Sequence, residues 1–144
     1  MKKIEIQEIL DLPIDKVWEL FINLDNYPKY FKYTKRVFYK GQMKLGFEWY
    51  DFATFVFPAI VKHKTTVFDK EKTLGFDVYI PLKGYIKERI SFENKGNATG
   101  IKASVVFDFG NPVFSFLFDN IFENRMKESI NGALTKFKRE ILVN

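Results

Sequence analysis

The last part of this chain carries one long amphipathic stripe. From Phe118 onward the apolar residues Phe118, Phe122, Met126, Ile130, Leu134, Phe137 and Ile141 recur at steps of four or three. That spacing places them on one face of an α-helix and is incompatible with strand alternation. Asp119, Asn120, Lys127, Glu128, Asn131, Lys138 and Arg139 fall on the opposite face. A helix with a single apolar stripe must bury it, and the partner on offer is the series of strand-like segments before it. The expected object is a sheet closed by one long helix, which is one way to build a hydrophobic pocket.

The preceding segments supply that sheet. Lys2 to Leu10 alternates around Ile4 and Ile6 and reads as a strand that Leu12-Pro13 stops. Ile14, Val17, Trp18 and Phe21 give the i, i+3, i+4, i+7 pattern of a helix over Pro13 to Phe21. Asp15 is either its N-terminal cap or a favourable charge at the positive end of its dipole. Tyr27-Pro28-Lys29-Tyr30-Phe31 is an aromatic turn or a second short helix. From Thr34 the period is close to two. Strands are expected over Arg36 to Lys40, Phe47 to Phe57, Ala59 to Phe68, Leu74 to Ile80, Tyr85 to Glu93 and Ile101 to Phe109. Asp69-Lys70-Glu71-Lys72 and Asn94-Lys95-Gly96-Asn97 are the turn signals. Short connections between consecutive strands imply an antiparallel meander, so the expected class is α+β.

The composition narrows the function. Phenylalanine accounts for 17 of 144 residues, an excess that belongs in a core or around an apolar ligand because the ring has no polar handle. Cysteine is absent, which removes disulfides, thiolate chemistry and cysteine-built zinc sites. A single histidine excludes a two-histidine metal site, and no metal or cofactor is implied. The formal net charge of +5 comes from scattered lysines. It suits solvated faces, or attraction to an acidic partner such as a weak membrane-surface contact. No apolar run approaches the ~20 residues that span a bilayer. Met-Lys-Lys is not followed by an apolar leader segment, so a cytoplasmic protein, monomer or homodimer, is expected.

Leu12-Pro13-Ile14-Asp15-Lys16-Val17-Trp18-Glu19-Leu20 resembles the opening of the START-like superfamily, also called SRPBCC or helix-grip proteins, where an apolar residue and a Pro or Ala precede a helix containing Val-Trp. Leu24-Asp25-Asn26-Tyr27-Pro28-Lys29-Tyr30-Phe31 is similar to the aspartate, tyrosine and Pro-x-aromatic stretch of that family's second helix. The likeness is greatest to the polyketide cyclase/dehydrase branch and the related coenzyme Q-binding proteins. It implies one START-like ligand-binding domain over residues 1–144. The fold implied is a helix-grip fold, with two short helices after strand 1 and a seven-stranded antiparallel sheet curved around the C-terminal helix. It further implies a cavity for a lipid, sterol, quinone, polyketide or plant hormone, used by some members for cyclisation and by others for carriage. Lys40 to Gly46 lacks the glycine density of the plant pathogenesis-related members, a departure that argues against the plant ligand set.

Few groups here can carry chemistry. His63 is in phase with Ala59, Val61, Thr65 and Val67, and is either a pocket residue or a rim histidine between two lysines. Glu88 shares parity with Ile86, Ile90 and Phe92, which places a carboxylate among apolar neighbours unless a bulge turns it out. A buried Glu88–His63 or Glu88–Arg125 pair is the sharp alternative. Arg125, one position off the stripe, is either a flanking salt-bridge residue or the anchor for a polar ligand group. Trp49 and Asp51 share one strand face and Tyr50 takes the other. The expected lining is Phe47, Trp49, Phe55, Phe57, Phe76, Phe107, Phe122 and Met126, which either surrounds a cavity or fills it. Three functions are weighed: a carrier of a small hydrophobic molecule, a cyclase or dehydratase with His63 or Glu88 as acid or base, and an accessory module presenting Tyr27 to Tyr33 to a partner. Alternating lysines and aromatics at Lys29 to Tyr33 suit nucleic-acid stacking, but these residues follow the family motif and no nucleic-acid partner is expected.

Overall fold

The computed structural model describes residues 2–81 and 84–143. Strand β1 (Lys2–Leu10) leads to helices α1 (Ile14–Ile22) and α2 (Asn26–Tyr30). Strands β2 (Thr34–Phe38), β3 (Glu48–Ala53), β4 (Ala59–Asp69), β5 (Thr73–Tyr79), β6 (Tyr85–Asn94) and β7 (Thr99–Asp108) follow, and α3 (Pro112–Val143) closes the chain. The sheet has seven strands in the order β1-β7-β6-β5-β4-β3-β2, and all six pairings are antiparallel. The meander from β2 to β7 is as expected. The helical pair carries β1 across to the far edge, beside β7. The result is the α+β helix-grip architecture, a curved sheet around a long C-terminal helix.

The stripe of α3 does what its spacing demands. Phe122, Met126, Ile130, Leu134 and Phe137 are buried, while Phe118 and Ile141, at its two ends, are half-buried. The buried face is wider than the reading by steps of four, because Ser129 and Ala133 lie within it as well. A helix with 3.6 residues per turn alternates its inward position between neighbours such as 129 and 130. The helix begins earlier than Phe118. Asn111 Oδ1 accepts the backbone N–H of Val113 at 2.8 Å and satisfies one of the first-turn donors.

Asp15 lies in the first turn of α1, at the positive end of the helix dipole, the second of its two expected roles; Pro13 precedes the helix with no side-chain cap bond. The local structure departs from the sequence pattern in three places. β2 lies two residues earlier than expected. β3 ends at Ala53, since its ladder with β4 stops at Ala53↔Ala59, and Phe55 and Phe57 therefore sit on a loop. In β4 the register shifts between Thr65 and Val67. The extra residue reverses the face, so Phe68 packs on Trp18 with ring centroids 5.4 Å apart. Gly75 opposes this bulge, and a Cβ there would lie 3.0 Å from Val67 Cβ and Cγ2.

Candidate functional site

The register of the sheet gathers the polar groups. Trp49 pairs with His63 across β3 and β4, and Asp51 pairs with Val61. His63 and Asp51 are thus diagonal neighbours on the buried face, within reach of each other. His63 Nε2 stands 3.0 Å from Asp51 Oδ2 and donates to it. Both side chains are almost wholly enclosed, at 7% and 3% exposed. The imidazole stacks on Trp49 at 4.8 Å with planes 7° apart. Glu88 comes from two strands away, where β6 places it between Phe76 of β5 and Val105 of β7. It is half-buried.

These groups set one another's protonation. Burial opposes the imidazolium of His63. The charge of Asp51, its hydrogen bond and the more distant Glu88 outweigh that opposition and raise the His63 pKa above its ordinary value. Burial raises the pKa of Glu88; the His63 cation opposes this and Asp51 adds to it. Burial also raises the Tyr27 phenol well above its ordinary range, with Glu88 and Asp51 contributing. Among the described residues, four buried side-chain atoms have no hydrogen-bond partner: Trp49 Nε1, Asp51 Oδ1, His63 Nδ1 and Ser129 Oγ.

Two chambers lie between the sheet and α3. The outer one, about 60 Å³, is bounded by the β3–β4 loop, the ends of β5 to β7 and the first half of α3, with Phe57, Ile80, Phe109 and Phe122 in its wall. The inner one, about 70 Å³, reaches toward α1 and α2 and is lined by Tyr27, Phe76, Ser129 and Ile130 among others. Asp51, Phe55, His63, Glu88 and Met126 border both chambers and form the partition between them. Each chamber is well below the ~300 Å³ of an ordinary small-molecule pocket. Aromatic rings occupy the rest: Phe122 packs against Phe55, Phe107 and Phe109 at centroid distances of 5.7, 4.7 and 5.6 Å.

The structure distributes the expected site residues unevenly. His63, Glu88 and Met126 border both chambers, Phe122 the outer and Phe76 the inner. Trp49 and Phe107 border neither; both are fully buried core rings, the first behind His63 and the second behind Phe122. Arg125 borders neither chamber. Its Nη1 donates to the carbonyl oxygens of Phe55 at 2.8 Å and Thr54 at 3.4 Å, and its guanidinium lies 5.5 Å from the centre of the Tyr33 ring. It ties the β3–β4 loop to α3, because those carbonyls have no ladder partner beyond Ala53. Replacing Arg125 by Met is expected to cost about 1–2 kcal/mol, the scale of a hydrogen bond from a charged donor that is only partly buried. The urea midpoint reads the cost, and faster amide exchange at Phe55 to Phe57 locates it. Asp51, the actual partner of His63, is not among the site residues that the sequence points to, although its phase with Trp49 is a signal. Ser129 carries no signal in the sequence.

Among the described residues no group of three or more acidic or histidine side chains is placed to hold a metal ion. No described helix is long and apolar enough to cross a membrane.

A family model described as polyketide cyclase / dehydrase and lipid transport matches residues 1–141. The chain belongs to this family. No curated protein matches its sequence. A START superfamily protein from Mycobacterium smegmatis superposes with a TM-score of 0.80 at 9% identity, over 96% of this chain and 98% of that one. The Zhui aromatase/cyclase from Streptomyces sp. R1128 gives 0.76 at 11% identity, over 97% and 95%. Norcoclaurine synthase from Thalictrum flavum, in complex with dopamine and hydroxybenzaldehyde, gives 0.71 at 16% identity, over 96% and 87%. At these identities the likeness is one of fold alone. This polyketide cyclase/dehydrase family member shares its fold with an aromatase/cyclase and a norcoclaurine synthase.

Proposed function

We propose that this protein binds a small, flat hydrophobic or aromatic molecule of lipid, quinone or polyketide type in the cavity beneath α3. The observation that carries the reading is the partition: two carboxylates and an imidazole converge inside walls otherwise built of Phe, Met, Ile and Val. Apolar walls supply affinity at ~25 cal/mol per Å² buried, and a few convergent polar groups supply orientation. Ligand entry displaces the Phe55 and Met126 side chains, since neither chamber alone holds an aromatic ring system.

The test is titration with 2-naphthol, followed by calorimetry and by the rise in melting temperature. Binding is expected, and Glu88→Gln is expected to weaken it about tenfold, because the phenol then donates to a neutral acceptor instead of a carboxylate. If 2-naphthol produces neither heat nor a thermal shift at millimolar concentration, the reading is wrong.

The same variant has a pH signature. The folded-state pKa of Glu88 is raised, so its contribution to stability is present below the ordinary carboxylate value and lost as pH rises through the folded value. Glu88→Gln escapes that loss. It is expected to match the wild type at pH 4 and to exceed it by about 1 kcal/mol at pH 8, the order of the cost of an unpaired buried polar group. Urea midpoints at the two pH values decide.

A second reading is favoured by the raised Glu88 pKa itself. A carboxyl whose pKa is raised by burial, beside an Asp–His pair, is equipped for general acid–base catalysis, as a cyclase or dehydratase requires. Turnover of an aromatic polyketide-like substrate that survives Glu88→Gln undiminished would remove it.

A further inference from the structure

We infer that the outer face of the first half of α3 is a self-association surface, through which two copies of this chain pack antiparallel across a two-fold axis near Leu117. The contact lies on the side of the helix away from the cavity and is independent of what the cavity holds.

α3 carries two apolar stripes. Opposite the buried one, Val113, Leu117 and Ile121 recur at steps of four with Phe116 beside them, and all four are exposed. Phe116, at 87%, is the most exposed large apolar side chain among the described residues. Beyond Ile121 the outer face turns polar, with Asn124, Lys127, Glu128, Asn131 and Thr135 in solvent. A helix that is apolar on both faces in its first turns, and on one face thereafter, has a second partner for those turns.

The charges beside the stripe select that partner. Between Asn111 and Asn124 the only charged residues are Asp119 and Glu123, both acidic. A helix that lies on a bilayer carries Lys and Arg on its polar face, and carboxylates there are repelled by anionic lipid. A second copy of the chain meets the stripe better. Antiparallel packing about Leu117 sets Val113 against Ile121 of the second copy and brings Glu123 beside the first turn of that copy's α3. The positive end of a helix dipole favours a carboxylate there. In its own chain Glu123 has only the long contacts to Lys2 and Lys127, at 3.7 and 3.6 Å. Each of these contacts is made twice, as an isologous interface requires. The face from Val113 to Asn124 spans about 18 Å of helix. Two such faces bury on the order of 1,000 Å² together, the lower bound of a specific interface. A contact of that size is weak, with an expected dissociation constant on the order of 10 μM.

Sedimentation equilibrium over about 1–200 μM and thiol cross-linking test the inference. The wild type is expected to sediment as monomer and dimer in exchange. Phe116→Glu should stay monomeric throughout and keep the wild-type melting temperature at the lowest concentration, because the side chain it replaces is exposed. Glu123→Gln should weaken association about two- to fivefold, the scale of a charge at a helix terminus. The chain has no cysteine, so a single introduced thiol finds only its own copy. Under mild oxidation Leu117→Cys, at the two-fold axis, is expected to give a disulfide-linked dimer. Asn131→Cys, exposed on the same side of the helix but beyond the stripe, is not. A wild type that stays monomeric at the highest concentration, a dimer that survives Phe116→Glu or is indifferent to Glu123→Gln, or equal cross-linking of the two cysteine variants each overturns the inference. A monomer that cosediments with phosphatidylcholine/phosphatidylglycerol vesicles, and ceases to in Phe116→Glu, would assign the stripe to a lipid surface and overturn it as well.

Discussion

Phe122→Ala is expected to destabilise the protein by about 3–5 kcal/mol and at the same time to make it bind benzene. The first effect follows from burial. Phe122 is 2% exposed and is enclosed by Phe55, Phe107 and Phe109, and truncating a core phenylalanine to alanine costs about 3–5 kcal/mol through lost transfer energy plus the cavity left behind. The second effect follows from what lies beside it. The removed ring opens directly into the outer chamber of about 60 Å³, and an engineered apolar cavity of about 150 Å³ in another protein binds benzene. Benzene should then raise the melting temperature of the variant and leave the wild type unchanged, with a stabilisation that grows as RT ln(1 + [L]/Kd). Chemical denaturation with and without saturating benzene measures both. If the variant loses the full stability but gains nothing from benzene, the surrounding rings have collapsed into the space. Phe122 would then be a packing residue whose removal does not open the pocket.

That experiment addresses a question the amino-acid sequence can pose but not answer. The stripe of α3 marks Phe122 and Met126 as inward-facing because helical periodicity is a local property. Whether seventeen phenylalanines surround a space or fill it depends on how rings from β3, β7 and α3 interlock, and that is set by the packing of residues distant in the chain. The same distinction explains the other gains and losses. The paired turns, the strand count and the Val17-Trp18 helix are legible because each is written within a dozen residues. Alternation assigns Phe55 and Phe57 to a strand, and the structure places them on a loop because the β4 ladder ends at Ala59. Phe68 changes faces through a bulge whose only local hint is the glycine opposite it. Helical spacing locates Arg125 beside the stripe, but its direction is chosen by two loop carbonyls some seventy residues earlier. Asp51 is legible as a residue of the Trp49 face. Its pairing with His63 is diagonal across two strands and emerges only once the register is fixed.

That pairing carries the other large expectation. His63→Ala should cost about 3–5 kcal/mol at pH 6, the cost of breaking a buried pair by removing one partner. The loss has two sources. The indole of Trp49 loses the imidazole stacked on it at 4.8 Å, and Asp51, 3% exposed, is left beside Glu88 with no cation. The second source is pH-dependent. The folded-state pKa of His63 is raised, so its own contribution is complete below its ordinary value and is lost as pH rises through the folded value. The deficit of His63→Ala should therefore narrow as pH rises above 6. A double-mutant cycle isolates the charge from the packing. Adding Asp51→Ala to His63→Ala removes the uncompensated carboxylate, so the double variant should be more stable than His63→Ala alone, although it has lost more atoms. Urea midpoints of the wild type, the two single variants and the double variant at pH 6 and 8 give all the terms. Simple additivity of the two losses would mean that Asp51 and His63 are neighbours in a core and not a coupled pair, and the partition could not then orient a ligand by charge.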